Sequence, residues 1–206
     1  SNVVVGVNVD LDYVKIKTPD DSIYYFAKEN LEFQRLDKQY KEKKQWIDGV
    51  PKLKTLSQIF KERGGYEEIG TIKGIEMVGW EYDGPFDDFE AQNEYGGYPI
   101  VNDELKEDGI NSAGHHRVID PGKDSIGNDI VVAGEGTGIV HMAPGCGDID
   151  HIIGKKIGLV NIAPLDDESK FIDKFGWLTG KTATEKETTE AIIQDLKDRG
   201  LLIYAE

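Results

Sequence analysis

Residues 134–150 read GEGTGIVHMAPGCGDID, a run dense in glycine that also holds a histidine, a thiol and two aspartates. Glycine loses more backbone freedom on folding than any other residue. A chain accepts it at this density where the backbone turns sharply or a ligand comes close. A plain glycine-rich hairpin entering a helix, with no ligand at all, answers to the same pattern. The wider segment 129–143 (DIVVAGEGTGIVHMA) is β-branched and reads as a strand, with Val140 and His141 as a buried-looking pair. A helix is expected from near Asp148 to just before Gly158.

Working outward, residues 115–120 (HHRVID) form a second strong strand candidate, joined to the first by the turn signal PGKDSIGN at 121–128. Residues 160–165 (VNIAPL) read as another strand. At the N-terminal side, residues 3–8 and 12–16 are short β-branched runs in a hairpin-like pattern, and 22–27 follow a Pro-Asp-Asp turn. Residues 28–47 carry Leu31, Phe33, Leu36, Tyr40 and Trp46 at helical intervals and are expected to be an amphipathic helix. A shorter helix over 54–62 should stop at Gly64-Gly65. Short strands broken by glycine are expected over 66–82, and loops over 83–114. A final amphipathic helix over 183–199 has Thr184 as its expected N-cap and Gly200 as its stop. Many short strands with a few helices indicate an α+β fold, with the strands closed into a small barrel and the helices peripheral.

The composition bounds what such a chain does. It has 206 residues, 38% hydrophobic and 31% charged, enough for one sizeable core, so one domain is expected over 1–206. No apolar run approaches the ~20 residues that cross a bilayer, which points away from membranes. The formal net charge of −15 repels phosphate backbones over most of the surface, so broad nucleic-acid binding is not expected. A short single-stranded end in a local pocket is still compatible. The lone Cys146 rules out an internal disulfide and suits a reducing, cytoplasmic setting. The four histidines lack HExxH or paired-cysteine spacing, so no metal site is expected. The abrupt strand-like start SNVVVGVNVDLDYV and the end LLIYAE, without an initiator Met, suggest a domain taken from a longer chain.

Several chemistries fail on the decisive stretch. GEGTGIV is not a phosphate loop, since no Lys-Ser/Thr pair follows, and its glycines run into a strand rather than a helix, unlike a dinucleotide fingerprint. No GxSxG elbow is present. A cysteine nucleophile at Cys146 with His141 or His151 as its base is conceivable; a small buried cysteine is the commoner case.

GTGIVHMAPGCGDID resembles the signature of the editing insertion in isoleucyl-, valyl- and leucyl-tRNA synthetases. In that signature GTG is followed by two apolar residues, His, an Ala-Pro pair, a glycine loop and an Asp nine residues beyond the His. His141 and Asp150 keep that spacing. The stretches 66–86 (YEEIGTIKGIEMVGWEYDGPF) and 154–181 (GKKIGLVNIAPLDDESKFIDKFGWLTGK) resemble the isoleucyl enzymes in particular, as does SNVVVGVNVDLDYVKIK at the start. The resemblance therefore implies an editing domain of a class I isoleucyl-tRNA synthetase, with the valyl and leucyl editing domains as its neighbours. It also implies a threonine-rich strand with a Trp, lying just before Ser1 and not present in this sequence.

What the resemblance implies about the site follows residue by residue. Asp150 would bind the α-ammonium of the aminoacyl group by a charge-assisted hydrogen bond; capping the following helix is the alternative. His141 would line the amino-acid pocket and help exclude the larger cognate side chain. Gly136, Thr137, Gly138, Met142, Gly145, Cys146 and Gly147 would bind substrate, the glycine turns through close backbone approach to the terminal adenosine or the ester oxygens. Asp148 reads as a helix-start acid, and Trp80 and Trp177 as core. His115, His116 and Arg117 form a small basic cluster that suits a tRNA phosphate. The implied reaction is hydrolysis of valine from mischarged tRNA(Ile), and of valyl-adenylate in the same pocket. Editing itself would need no cofactor, while the parent enzyme uses ATP and Mg. The implied partners are the 3′ end of tRNA(Ile) and the rest of the synthetase chain, with the excised domain monomeric. A non-catalytic aminoacyl- or nucleotide-binding remnant of the same fold is the competing expectation.

Overall fold

The computed structural model describes residues 2–35 and 52–205. Its strands are β1 (Val4–Gly6), β2 (Asp12–Lys17), β3 (Ile23–Ala27), β4 (Glu67–Lys73), β5 (Gly97–Tyr98), β6 (Val118–Ile119), β7 (Val140–Met142) and β8 (Asn161–Ile162). Its α-helices are α1 (Leu56–Glu62), α2 (Gly74–Met77), α3 (Glu90–Asn93), α4 (Asp103–Glu107), α5 (Asp148–Ile157) and α6 (Lys186–Asp198). The mixture is α+β, as expected. The barrel is not found: among the described residues the strands form three small separate sheets, ordered β6-β1-β7, β3-β2-β4 and β5-β8. Strands of two or three residues offer too few ladder hydrogen bonds to continue one closed sheet.

The chain divides into two compact units, residues 1–5, 79–118 and 141–206 in the first, and 6–78 with 119–140 in the second. In the second unit β2 is the central strand, antiparallel to β3 and to β4, with a register shift at Lys15/Ile16. The expected hairpin of residues 3–8 with 12–16 is therefore replaced by a β2–β3 hairpin. Tyr13, Val14 and Ile16 of β2 are fully buried. α1 packs on the sheet through Phe60, whose ring lies 5.0 Å from Tyr24 and 5.6 Å from Phe26. Thr55 and Gln58 close a capping box at the start of α1, a start signal beside the Gly64-Gly65 stop expected from the sequence. The strands expected over 66–82 reduce to β4 followed by the single-turn helix α2. The helix expected over 28–47 appears only as a 3₁₀ turn at Lys28–Asn30 with no helix over 31–35; residues 36–47 lie outside the described residues.

In the first unit the start of β1 pairs on both sides: Val3 N–H donates to Met142 O at 3.0 Å and Val5 N–H to Arg117 O at 3.2 Å. Its core gathers Val4, Met142 and Ile162 with Phe175, which meets Phe89, Tyr98 and Phe171 at centroid distances of 6.2–6.5 Å. The helix expected near Asp148 is α5, ended by Gly158 in the left-handed conformation. α6 matches its expected span, but Glu185, not Thr184, occupies its N-cap, without a side-chain cap. Trp80 and Trp177 are each 39% exposed, so neither is the core residue expected.

Candidate functional site

The strand expected over 129–143 shrinks to β7 because Gly134, Gly136 and Gly138 have φ of 79°, 51° and 73°. Those angles lie outside the β region, so the backbone turns there instead of extending. In the second unit these turns are held from inside. Asn30, buried, donates to Glu135 O at 2.8 Å and Gly136 O at 3.1 Å, and its Oδ1 accepts from Gly134 N–H at 2.7 Å. Thr137 O accepts from Ala27 N–H, and Gly138 O from the Tyr13 hydroxyl at 2.7 Å. A Cβ at Gly138 would stand 2.4 Å from that of Ala27, so only glycine fits. The carbonyls of the GTG run thus face protein. Gly136 and Thr137 are exposed, and among the described residues neither N–H has a protein acceptor. Burial of Tyr13 raises its pKa, keeping the hydroxyl protonated for these contacts. Asn30 and Tyr13 were missed by sequence reading, since only folding places them under a turn more than 100 residues away.

In the first unit the structure brings Asp150, His141, Met142, Gly145, Cys146 and Gly147 onto β7, the following turn and the first turn of α5. Asp150 is half-buried. Its Oδ2 accepts from Ala143 N–H at 2.9 Å, so it ties the helix back to the strand end and does not cap α5. Among the described residues no protein donor meets Oδ1, which leaves one carboxylate oxygen open. Gly147 makes room for this group: a Cβ there would lie 3.3 Å from Oδ2. Gly145 is more constrained, since a Cβ would stand 2.1 Å from Ile162 O. Met142 is fully buried, whereas Val140 and His141 are exposed, so the Val-His pair is not the buried pair expected.

His141 is held from one side. Asn2 Nδ2 lies 3.0 Å from His141 Nδ1 and 3.1 Å from Val4 O, and Asn2 Oδ1 accepts from the Tyr82 hydroxyl at 2.5 Å. A carbonyl oxygen only accepts, so the amide nitrogen is the donor here and His141 Nδ1 must be the acceptor. The neutral ring then carries its proton on Nε2. Loss of solvation lowers the pKa of His141, against the opposing pull of the Asp150 charge, although part of the side chain is open to solvent.

Cys146 is exposed, contrary to the buried cysteine expected. Among the described residues no histidine bonds its thiol: His141 Nδ1 is engaged by Asn2, and His151 Nδ1 faces Pro144 O at 3.2 Å. The base that a cysteine nucleophile needs is not in place. His116 is also not the surface cation expected for a tRNA phosphate. Its side chain is fully buried and paired with Asp87 at 2.8 Å. Asp148 is an exposed acid in the first turn of α5, as expected. In the second unit a cleft of about 110 Å³ is lined by Asn8, Asp10, Asp120, Lys123 and Asp129 among others, none of them a residue singled out in the sequence. Among the described residues no cluster of three metal-capable side chains occurs, and no helix is long and apolar enough to cross a membrane.

No family model matches the chain. Individual relatives do. It is 30% identical over 205 residues to the isoleucine–tRNA ligase of Sulfolobus acidocaldarius, covering all of this chain and 15% of that one. It is 30% identical over 208 aligned positions to the isoleucine–tRNA ligase of Methanocaldococcus jannaschii, again over its whole length and 16% of the relative. A stretch of 81 residues, 39% of this chain, is 41% identical to the isoleucine–tRNA ligase of Rippkaea orientalis. Over its whole length the chain is thus similar to one segment of aminoacyl-tRNA synthetases. Within that class the chain belongs, as a segment, to the isoleucine–tRNA ligase family, and it spans about 15% of the length of the curated relatives it matches end to end.

Proposed function

We propose that this segment edits for its synthetase, hydrolysing valine from mischarged tRNA(Ile) and from valyl-adenylate. The observation that carries the reading is Asp150: one carboxylate oxygen held by Ala143 N–H and the other without a protein donor, on the same strand-turn-helix as a neutral His141. An anion fixed this way suits the free α-ammonium of an aminoacyl ester, and it selects against acyl groups that lack the charge. Isoleucine exceeds valine by one methylene, and one methylene is worth only ~1–3 kcal/mol in a binding pocket; this pair and this synthetase are the standard illustration of that limit. A second, smaller site that destroys what fits it supplies the remaining discrimination.

The chemistry is attack of water on the ester carbonyl carbon. In valyl-tRNA the bond to the ribose oxygen breaks and that oxygen takes a proton; in valyl-adenylate the bond to the phosphate oxygen breaks and AMP leaves as the phosphate anion. His141, a donor through Nε2, polarises or orients and does not abstract a proton. Positioning therefore does most of the catalytic work, with the substrate's own ribose hydroxyl orienting the water.

The test is Asp150→Ala in the synthetase carrying this segment, assayed for hydrolysis of valyl-tRNA(Ile). Removing a buried partner of a charge costs about 3 kcal/mol, so a loss on the order of 100-fold is expected. Hydrolysis retained in the variant would remove Asp150, and with it this reading. Calorimetry of the unmodified protein with a non-hydrolysable valyl-adenosine analogue, set beside its valyl-tRNA(Ile) hydrolysis, separates a site that binds and hydrolyses from one that only binds.

A further inference from the structure

His116 is the most deeply buried histidine of the described residues, and the chemistry above makes no use of it. Both of its ring nitrogens meet oxygens. Nδ1 lies 2.7 Å from Val3 O, and Nε2 lies 2.8 Å from Asp87 Oδ1. A backbone carbonyl only accepts, so one proton sits between Nδ1 and Val3 O, and a second sits between Nε2 and the carboxylate. Asp87 is what allows both protons to be present in a dry setting, and its Oδ2 is held in turn by Gly84 N–H at 2.5 Å. The Tyr82 ring stacks on His116 at 5.0 Å and 13°. Nothing larger than glycine fits over the pair: a Cβ at Gly84 would stand 2.4 Å from Asp87 Oδ1 and 2.7 Å from His116 Nε2.

Two paths lead from this pair to His141. Through the backbone, His116 fixes Val3, whose own N–H is paired with Met142 O, the residue after His141. Through side chains, the stacked Tyr82 donates to Asn2 Oδ1, and Asn2 Nδ2 donates to His141 Nδ1. Ser112 Oγ and Gln92 Nε2 hold Asn2 O from a third direction. We infer that Asp87 and His116 are positioning residues of the candidate site, which set the ring orientation and tautomer of His141 through residues 2 and 3. The catalytic part of this inference rests on the editing reading; the structural link from Asp87 to His141 does not.

The experiment has two readouts. Nitrogen NMR of histidine-labelled chain reports the ring protons, and valyl-tRNA(Ile) hydrolysis is followed in the intact synthetase. In the unmodified chain His141 should show a single proton on Nε2. Asp87→Asn keeps the side-chain size while removing the charge. It is expected to release His141 into a mixture of tautomers and to lower kcat roughly tenfold with KM changed less than about twofold. Tyr82→Phe keeps the stacked ring and deletes only the hydroxyl, so it should move the His141 signal in the same direction without loss of fold. A His141 signal identical to that of the unmodified chain in both variants would overturn the inference, since the pair would then be structural only. If the unmodified synthetase hydrolyses no valyl-tRNA(Ile), the editing reading fails, and the NMR comparison still decides the link.

Discussion

His141 shows how one hydrogen bond sets a side chain's chemistry. An amide N–H aimed at Nδ1 is tolerated by a neutral imidazole and repelled by an imidazolium, and lost solvation acts in the same direction. Its pKa in the fold therefore lies below the ordinary 6.5. The sign follows from proton counting. As pH falls through 6.5 the unfolded chain takes up this proton first, so the stability that His141 contributes is complete above that value and is lost as pH falls toward the lower folded value. His141→Gln should accordingly lose less stability than the unmodified chain between about pH 7.5 and about pH 5.5, measured as the shift in urea midpoint. The resemblance to the synthetase editing signature singled out His141 and Asp150 as candidates. Their states were not legible, because Asn2, Tyr82 and Ala143 act on them through contacts that exist only after folding. For the same reason Cys146 came out exposed, and His116 proved a buried partner of Asp87.

At the scale of elements, what was legible had a local cause. α1 begins at a Thr55–Gln58 capping box and ends before Gly64-Gly65, and α5 ends at Gly158; each signal lies within a turn of the helix it bounds. Thr55→Ala removes the side-chain acceptor of Gln58 N–H and should cost about 1 kcal/mol, read from denaturant unfolding with an unchanged m-value. Strands were read less well. β-branched runs were found, but their partners were misjudged: β2 takes β3 and β4, and β1 takes β6 and β7. The run at 129–143 looked extended by composition, yet its three positive-φ glycines make a turn whose carbonyls are satisfied by Asn30, Ala27 and Tyr13. Apolar spacing alone predicts a helix through residue 30, and that spacing carries no information about a contact more than 100 residues away.

For the whole molecule, charge is the property with a direct consequence. A net charge of −15 opposes a phosphate backbone, and the one basic cluster singled out in the sequence has its central histidine buried. The chain by itself should bind uncharged tRNA(Ile) weakly. Its affinity should lack the steep fall with salt that several lysine–phosphate contacts would produce. Filter binding across a salt series checks this; a steep slope would mean that a cationic surface forms which the described residues do not show.

Composition and local pattern were sufficient for the α+β class and for the short helices ended by glycines, and the resemblance for the His141–Asp150 spacing as a candidate site. These depend on residues within a few positions of one another, where backbone sterics and hydrogen bonding leave few choices. Sheet membership, the absence of a closed barrel among the described residues, the open oxygen of Asp150, the tautomer of His141 and the burial of His116 against Asp87 were decided by the tertiary structure alone. Each depends on which distant donors and acceptors meet once water is excluded, and chain separation along a sequence does not encode that meeting.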